Sequence, residues 1–195
     1  PGERYLVGDA QQLEALGLEP GFDAASCIMA LMNIDSVEAV LRGVAALLAS
    51  RGRFVAVMLH PAFRAPGQTS WQWEEDAQPA NRARENKQKQ YRRVDGYLTP
   101  YAHPIVMNPG AAARGRKPVT TTTHHRPIQA YVSALARCGF VVDALEEWPS
   151  QRTSEPGPRA DEENRARREI PLFLAIRAVK PIDKPEVARA DASTD

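Results

Sequence analysis

A chain of 195 residues is long enough to bury one substantial core, and 43% hydrophobic with 25% charged residues is the balance of an ordinary globular protein. A formal net charge of +1 gives no electrostatic reason for nucleic acid or an anionic membrane as partner, and no apolar run approaches the roughly 20 residues a membrane helix needs. Two cysteines, Cys27 and Cys138, suggest neither a disulfide framework nor a metal cluster, and with no signal-peptide pattern the expectation is a reducing, cytoplasmic setting.

Arg4 to Val7 reads as a short strand ending in Gly8-Asp9-Ala10, and Gln11 to Leu16 as a brief helix or turn. The runs Ala24 to Leu31 and Phe54 to Leu59 barely alternate, which is the pattern of strands covered on both faces by helices. Between them Val37, Val40, Leu41, Val44, Leu47 and Leu48 recur on one helical face. Asp35 or Ser36 can cap that helix, Glu38 stands three residues after Asp35 as in a capping box, and Arg51-Gly52 is expected to end it. Strand, helix and strand in this order form a crossover, so an α/β fold with parallel strands is predicted, with ligands at their carboxyl ends.

From Pro61 to Arg126 prolines, glutamines, tryptophans and charges mix without a period, which predicts an insertion. Within it Glu74 to Arg93 reads as a polar helix, its basic run Arg82 to Arg93 as a solvated face, Val94 to Val106 as one short strand, and Gly110 to Pro118 as a small-residue loop. Regular structure resumes at His124-His125-Arg126-Pro127. Pro127 suits a first helical turn, Ile128, Tyr131, Val132 and Leu135 form the apolar face, and Gly139 ends the helix. Phe140 to Trp148 is a predicted strand, Pro149 to Glu169 a long charged loop, and Ile170 to Val179 a last apolar strand. Two strands joined only by a loop should pair antiparallel, giving a mixed sheet edge. Lys180 to Asp195, with alternating charge and two prolines, reads as a disordered tail.

The order of Gly-Asp-Ala strand end, apolar strand, helix, Arg-Gly turn, apolar strand, insertion, His-Arg-Pro helix, Gly-Phe strand and last strand resembles class I S-adenosylmethionine-dependent methyltransferases from Tyr5 to Lys180. It looks most like their small-molecule branch. The resemblance implies a Rossmann-like sheet, mostly parallel with an antiparallel last strand, binding S-adenosyl-L-methionine and a small-molecule acceptor. It divides the chain into the C-terminal part of a cofactor-binding core (1–60), a lid-like substrate insertion (61–126), a return to the core (127–180) and a tail (181–195).

The resemblance also implies roles for residues. Asp9 and Ala10 would meet the adenine; Cys27, Ile28 and Met29 would lie along the methionine part of the cofactor; Met32 would follow them, and Asn33 would reach the substrate. His60 and Pro61 would face the substrate, with His124, His125 and Arg126 bordering the lid. The family's Gly-rich loop after its first strand and the ribose-binding acid after its second have no counterpart, since Gly8, Gly17 and Gly21 make no such turn. The expectation is the C-terminal portion of the fold, as part of a longer protein or as a truncated homologue; a non-catalytic domain serving assembly or binding is the alternative.

The residues themselves leave other readings open. Asp9 can equally cap the following turn. Methyl transfer to oxygen or nitrogen calls for a base near neutrality, so His60, His124 and His125 are the candidates, against plain roles at a strand end or helix start. Trp71, Trp73, Tyr91, Tyr97 and Tyr101 can line an acceptor pocket or pack the lid onto its domain. Adjacent histidines point to different sides, and no Cys, Asp or Glu stands at ligand spacing, so no metal site is expected.

Overall fold

In the computed structural model, residues 2–74 and 88–182 are described. A 3-10 turn at Ala10–Leu16 precedes strand β1 (Phe22–Ile28), and a second at Leu31–Asn33 leads to helix α1 (Val37–Leu47) and strand β2 (Leu48–Leu59). The insertion holds β3 (Thr69–Trp73), β4 (Gln90–Val94), β5 (Tyr101–Val106), the single turn α2 (Pro109–Ala112) and β6 (Thr120–His125). Helix α3 (Ile128–Arg137), strand β7 (Val141–Trp148), helix α4 (Ala160–Glu169) and strand β8 (Phe173–Val179) complete the order.

The main sheet runs β1-β2-β8-β7, while β3 with β4 and β5 with β6 make two separate antiparallel pairs. β1 and β2 are parallel, as the crossover through α1 requires, and β8 is antiparallel to both of its neighbours. β1, β2 and β7 therefore point the same way, and their carboxyl ends share one edge. The predicted antiparallel strand lies inside the sheet rather than at its rim.

One face of this sheet carries α1 and α3. Val40, Leu41 and Val44 from α1, Tyr131 and Leu135 from α3, and Phe54, Met58, Leu174 and Ile176 from the sheet make one buried cluster. Each such side chain contributes about 1.5–3 kcal/mol on leaving water. Along β2 the buried residues Phe54, Ala56 and Met58 alternate with half-buried Val55, Val57 and Leu59, and β1 is exposed to half-buried. The expected cover on both faces is thus not found among the described residues: helices pack on one face, and β1 is an edge strand. Ser36 is the cap of α1, its hydroxyl accepting from the Ala39 N–H at 3.3 Å. Glu38 makes no capping box; it pairs with Arg42 and Arg137 instead.

Several local expectations are corrected. Arg4 to Val7 is not a strand: among the described residues no strand lies beside it, and Tyr5, Leu6 and Val7 are exposed. α1 hands over to β2 directly at Leu48, and Arg51, at φ 65°, bulges the strand before Gly52, where a Cβ would come within 2.8 Å of the Ala49 carbonyl. Gln90–Val94, at the end of the predicted polar helix, is strand β4, and residues 75–87 of that prediction and of its basic run lie outside the described residues. Part of Gly110 to Pro118 is the turn of α2. The charged loop after β7 contains α4, stabilised by Glu162–Arg165 and Glu163–Arg167 pairs with acids in its first turn and arginines in its last. The predicted tail lies almost wholly outside the described residues, from 183 onward.

Candidate functional site

The shared edge where β1, β2 and β7 end is the place an open α/β sheet offers to ligands. At the end of β1 the backbone turns sharply: Met29 has φ 55°, a left-handed conformation that costs a non-glycine residue about 1 kcal/mol or more, and its N–H donates to the Val57 carbonyl at 2.7 Å. Ile28 and Met29 stand exposed there, at 56% and 36%. Cys27 is half-buried, its thiol pushed up by burial and pulled back by bonds from the Leu31 and Ala30 backbone. The chain then dives, burying Leu31 and Met32.

His60 follows the last residue of β2 and is 1% exposed. Its Nδ1 accepts from the Ala62 N–H at 3.2 Å, which puts the ring proton on Nε2, donated to Glu147 Oε1 of β7 at 2.6 Å. Burial holds the ring below the usual histidine range, against the opposing pull of Glu147; the Arg64 charge pushes it further down. Phe63 packs on the ring at 4.6 Å between centroids. Both nitrogens are engaged, so His60 links two strand ends.

β6 lies beside the Leu31–Asn33 turn. Thr123 Oγ1 donates to Asn33 Oδ1 at 2.9 Å, and Arg126 donates to the carbonyls of Ile34 (3.0 Å) and Asp35. These bonds place His124 Nδ1 at 3.4 Å from Asp35 Oδ1, within ion-pair reach, with His124 at 19% exposure. His125 faces the other way, as strand alternation requires. It is buried, its Nε2 lies 2.8 Å from the Tyr97 carbonyl, and Tyr101 stacks on it at 5.0 Å. The Tyr97 hydroxyl accepts from the Ile128 N–H at 2.9 Å, tying this loop to the start of α3.

Met32, His60, Pro61, His124, His125 and Arg126 thus meet around one cavity of about 30 Å³, with Arg64 and Tyr131 completing its wall. Such a volume holds a water or two and no organic acceptor. Asn33 is bonded to the wall through Thr123, and Tyr97 stands behind His125. Asp9, Ala10, Cys27, Ile28 and Met29 do not line it. Asp9 caps the first 3-10 turn, its Oδ1 accepting from the Gln11 N–H (2.9 Å) and Nε2 (3.4 Å), while the Gln11 carbonyl oxygen Oε1 accepts from the Ser36 N–H at 2.8 Å. Among the described residues no group of three His, Cys, Asp or Glu side chains is placed to share a metal ion, and no helix is long and apolar enough to cross a membrane. Cys27 and Cys138 are unpaired thiols.

An edge built in this way can be compared with known structures. The structure neighbours are S-adenosylmethionine-dependent methyltransferases of the class I fold. A S-adenosylmethionine-dependent methyltransferase from Mesorhizobium loti superposes with a TM-score of 0.55 at 25% identity, over 88% of this chain and 67% of that one. A structure from Listeria monocytogenes assigned to the same class gives 0.56 at 25% identity, over 86% and 66%. A Haloferax volcanii complex of the Trm112 methyltransferase activator with a methyltransferase gives 0.51 at 13% identity, over 92% and 61%, and shows likeness of fold alone. The chain therefore spans about two thirds of the length of the first two. No family model matches the chain, and no curated protein matches it in sequence.

Three wall partners escape sequence reading. Glu147 reads as an ordinary surface acid in a strand, Asp35 as a helix cap, and Arg64 as one charge among many in the insertion. Only Asp35 had a local signal, since it directly precedes the helix.

Proposed function

We propose that this chain takes part in methyl transfer from S-adenosyl-L-methionine to a small-molecule acceptor. The observation that carries the reading is the coincidence of a methyltransferase-like sheet, at 25% identity over most of the chain, with candidate residues gathered on the carboxyl edge of that sheet. The bound cofactor supplies an electrophilic sulfonium methyl group. The chain's residues fit part of it. Among the described residues both side-chain bonds to Asp9 fall on Oδ1, which leaves Oδ2 for an adenine amino group beside Ala10. The exposed, sharply turned end of β1 at Ile28 and Met29, over the half-buried Cys27, presents an apolar shelf for the methionine part. Met32 supports that shelf from the core.

On the acceptor side, the hairpins of 61–126 act as the lid, with Asn33, Pro61, Tyr97 and Arg126 shaping its inner wall. His124 is the better placed base: Asp35 sits beside Nδ1 at 3.4 Å, so Nε2 is the nitrogen that takes the acceptor's proton, by way of a water in the small cavity. His60 and His125, buried and bonded, hold the wall in place. Holding the nucleophile in line with the methyl carbon supplies most of the acceleration.

Calorimetric titration of S-adenosylhomocysteine into the purified chain tests this. Micromolar binding that Asp9→Ala weakens about tenfold is expected, the loss of one hydrogen bond from a charged acceptor. No heat at millimolar ligand overturns the reading for this chain.

A further inference from the structure

Beyond the histidine cavity the same edge continues past the start of β8 and the end of β7 into an open cleft of about 600 Å³, lined by Arg64, Trp71, Pro149, Arg152, Arg167 and Phe173. This is the size of a small-molecule site, whereas the histidine cavity admits only water. Arg64 lines both.

The charge in this cleft is unbalanced. Arg64 Nε is a buried polar atom with no partner among the described residues, and its Nη2 reaches the Ile170 carbonyl only at 3.4 Å. Burial, together with the charges of Arg92 and Arg167, lowers the Arg64 pKa to about 10. Arg92 donates to neutral acceptors, the Phe63 carbonyl at 2.7 Å and Thr69 Oγ1 at 2.6 Å. Arg167 meets Glu163 at 3.6 Å. Among the described residues, then, one carboxylate pairs within this group of three guanidinium ions. A part-buried cation with like neighbours and no counter-ion is unfavourable, and an arriving anion relieves it. The guanidinium fork matches carboxylate and phosphate oxygens in pairs. Trp71 steadies the group: the guanidinium carbons of Arg64 and Arg92 each lie 5.2 Å from its ring centroid.

We propose that this cleft binds the anionic end, carboxylate or phosphate, of a small molecule, with Arg64 as the anchor and Arg152 at the mouth, and that this molecule is the methyl acceptor. The link to the acceptor rests on the methyl-transfer reading; the anion site stands on charge and geometry alone.

Calorimetry on the purified chain with phenyl phosphate, benzoate and phenol tests the proposal. At least one anion is expected to bind with a dissociation constant of millimolar or better, phenol not to bind, and R64Q and R152E each to weaken the better anion at least tenfold. Preference for phenyl phosphate assigns a phosphate ligand, and preference for benzoate a carboxylate. Phenol binding as well as the anions, neither anion binding, or R152E leaving the affinity unchanged overturns the proposal. Arg152 is exposed, so R152E decides the matter even if R64Q fails to fold. S-adenosylhomocysteine titrated into the same samples separates the two claims. Its binding without anion binding removes this site and keeps the methyltransferase reading; anion binding without it does the reverse.

Discussion

His60 is the residue with the clearest physical signature. Burial disfavours the charged form of its ring more than Glu147 favours it, so the folded pKa lies below the ordinary histidine value. A histidine with a lowered folded pKa binds fewer protons than it does unfolded, so its contribution to stability is complete above the unfolded pKa of about 6.5 and is lost as the pH falls through that value towards the folded one. The melting temperature should therefore drop between pH 7.5 and pH 5.5, and His60→Gln should flatten that drop. An equally steep drop in the variant would place the titration elsewhere. His60 and His124 were visible in the sequence as residue types at a strand end and a helix start. Their surroundings were not, because the groups that meet each ring come from distant segments: Glu147 from β7 and Asp35 from before α1. Nothing local to His60 announces a buried donor to a surface carboxylate.

At the scale of elements, the junction between β6 and the turn before α1 hangs on Arg126. One guanidinium donates to the carbonyls of Ile34, Asp35 and, at 3.4 Å, His124, so a single side chain holds together the loop and the strand that carry the Asp35–His124 pair. Arg126→Ala should cost about 1–3 kcal/mol in urea unfolding, since it leaves carbonyls without their charged donor. A change under a few tenths would mean that water replaces it freely. Elements with an apolar period were legible: α1, α3 and β8 stand close to where their patterns place them, and β2 ends at the expected Leu59 but begins earlier, at Leu48. Those without one were not. α4 carries polar residues nearly all round and is held by ion pairs, and β6 is a run of threonines ending in two histidines, so neither shows the repeat by which a sequence reveals a buried face. β1 was recognised as a strand, and among the described residues no strand pairs with its other side, which an apolar run by itself does not reveal.

For the whole molecule, order along the chain and order across the sheet differ in a way that bears on folding. β8, the last strand among the described residues, slots between β2 and β7, so Phe54 and Val142 both find Ala178 as partner. Until β8 arrives, β2 and β7 each present an unpaired edge and the cluster around Phe54 and Met58 lacks Leu174 and Ile176. Contacts so distant in sequence are formed late and slowly. A chain ended after Leu172 should show no cooperative thermal transition; a sharp transition would mean that the other strands close without β8. During synthesis the sheet has to wait, sticky-edged, for its keystone to leave the ribosome.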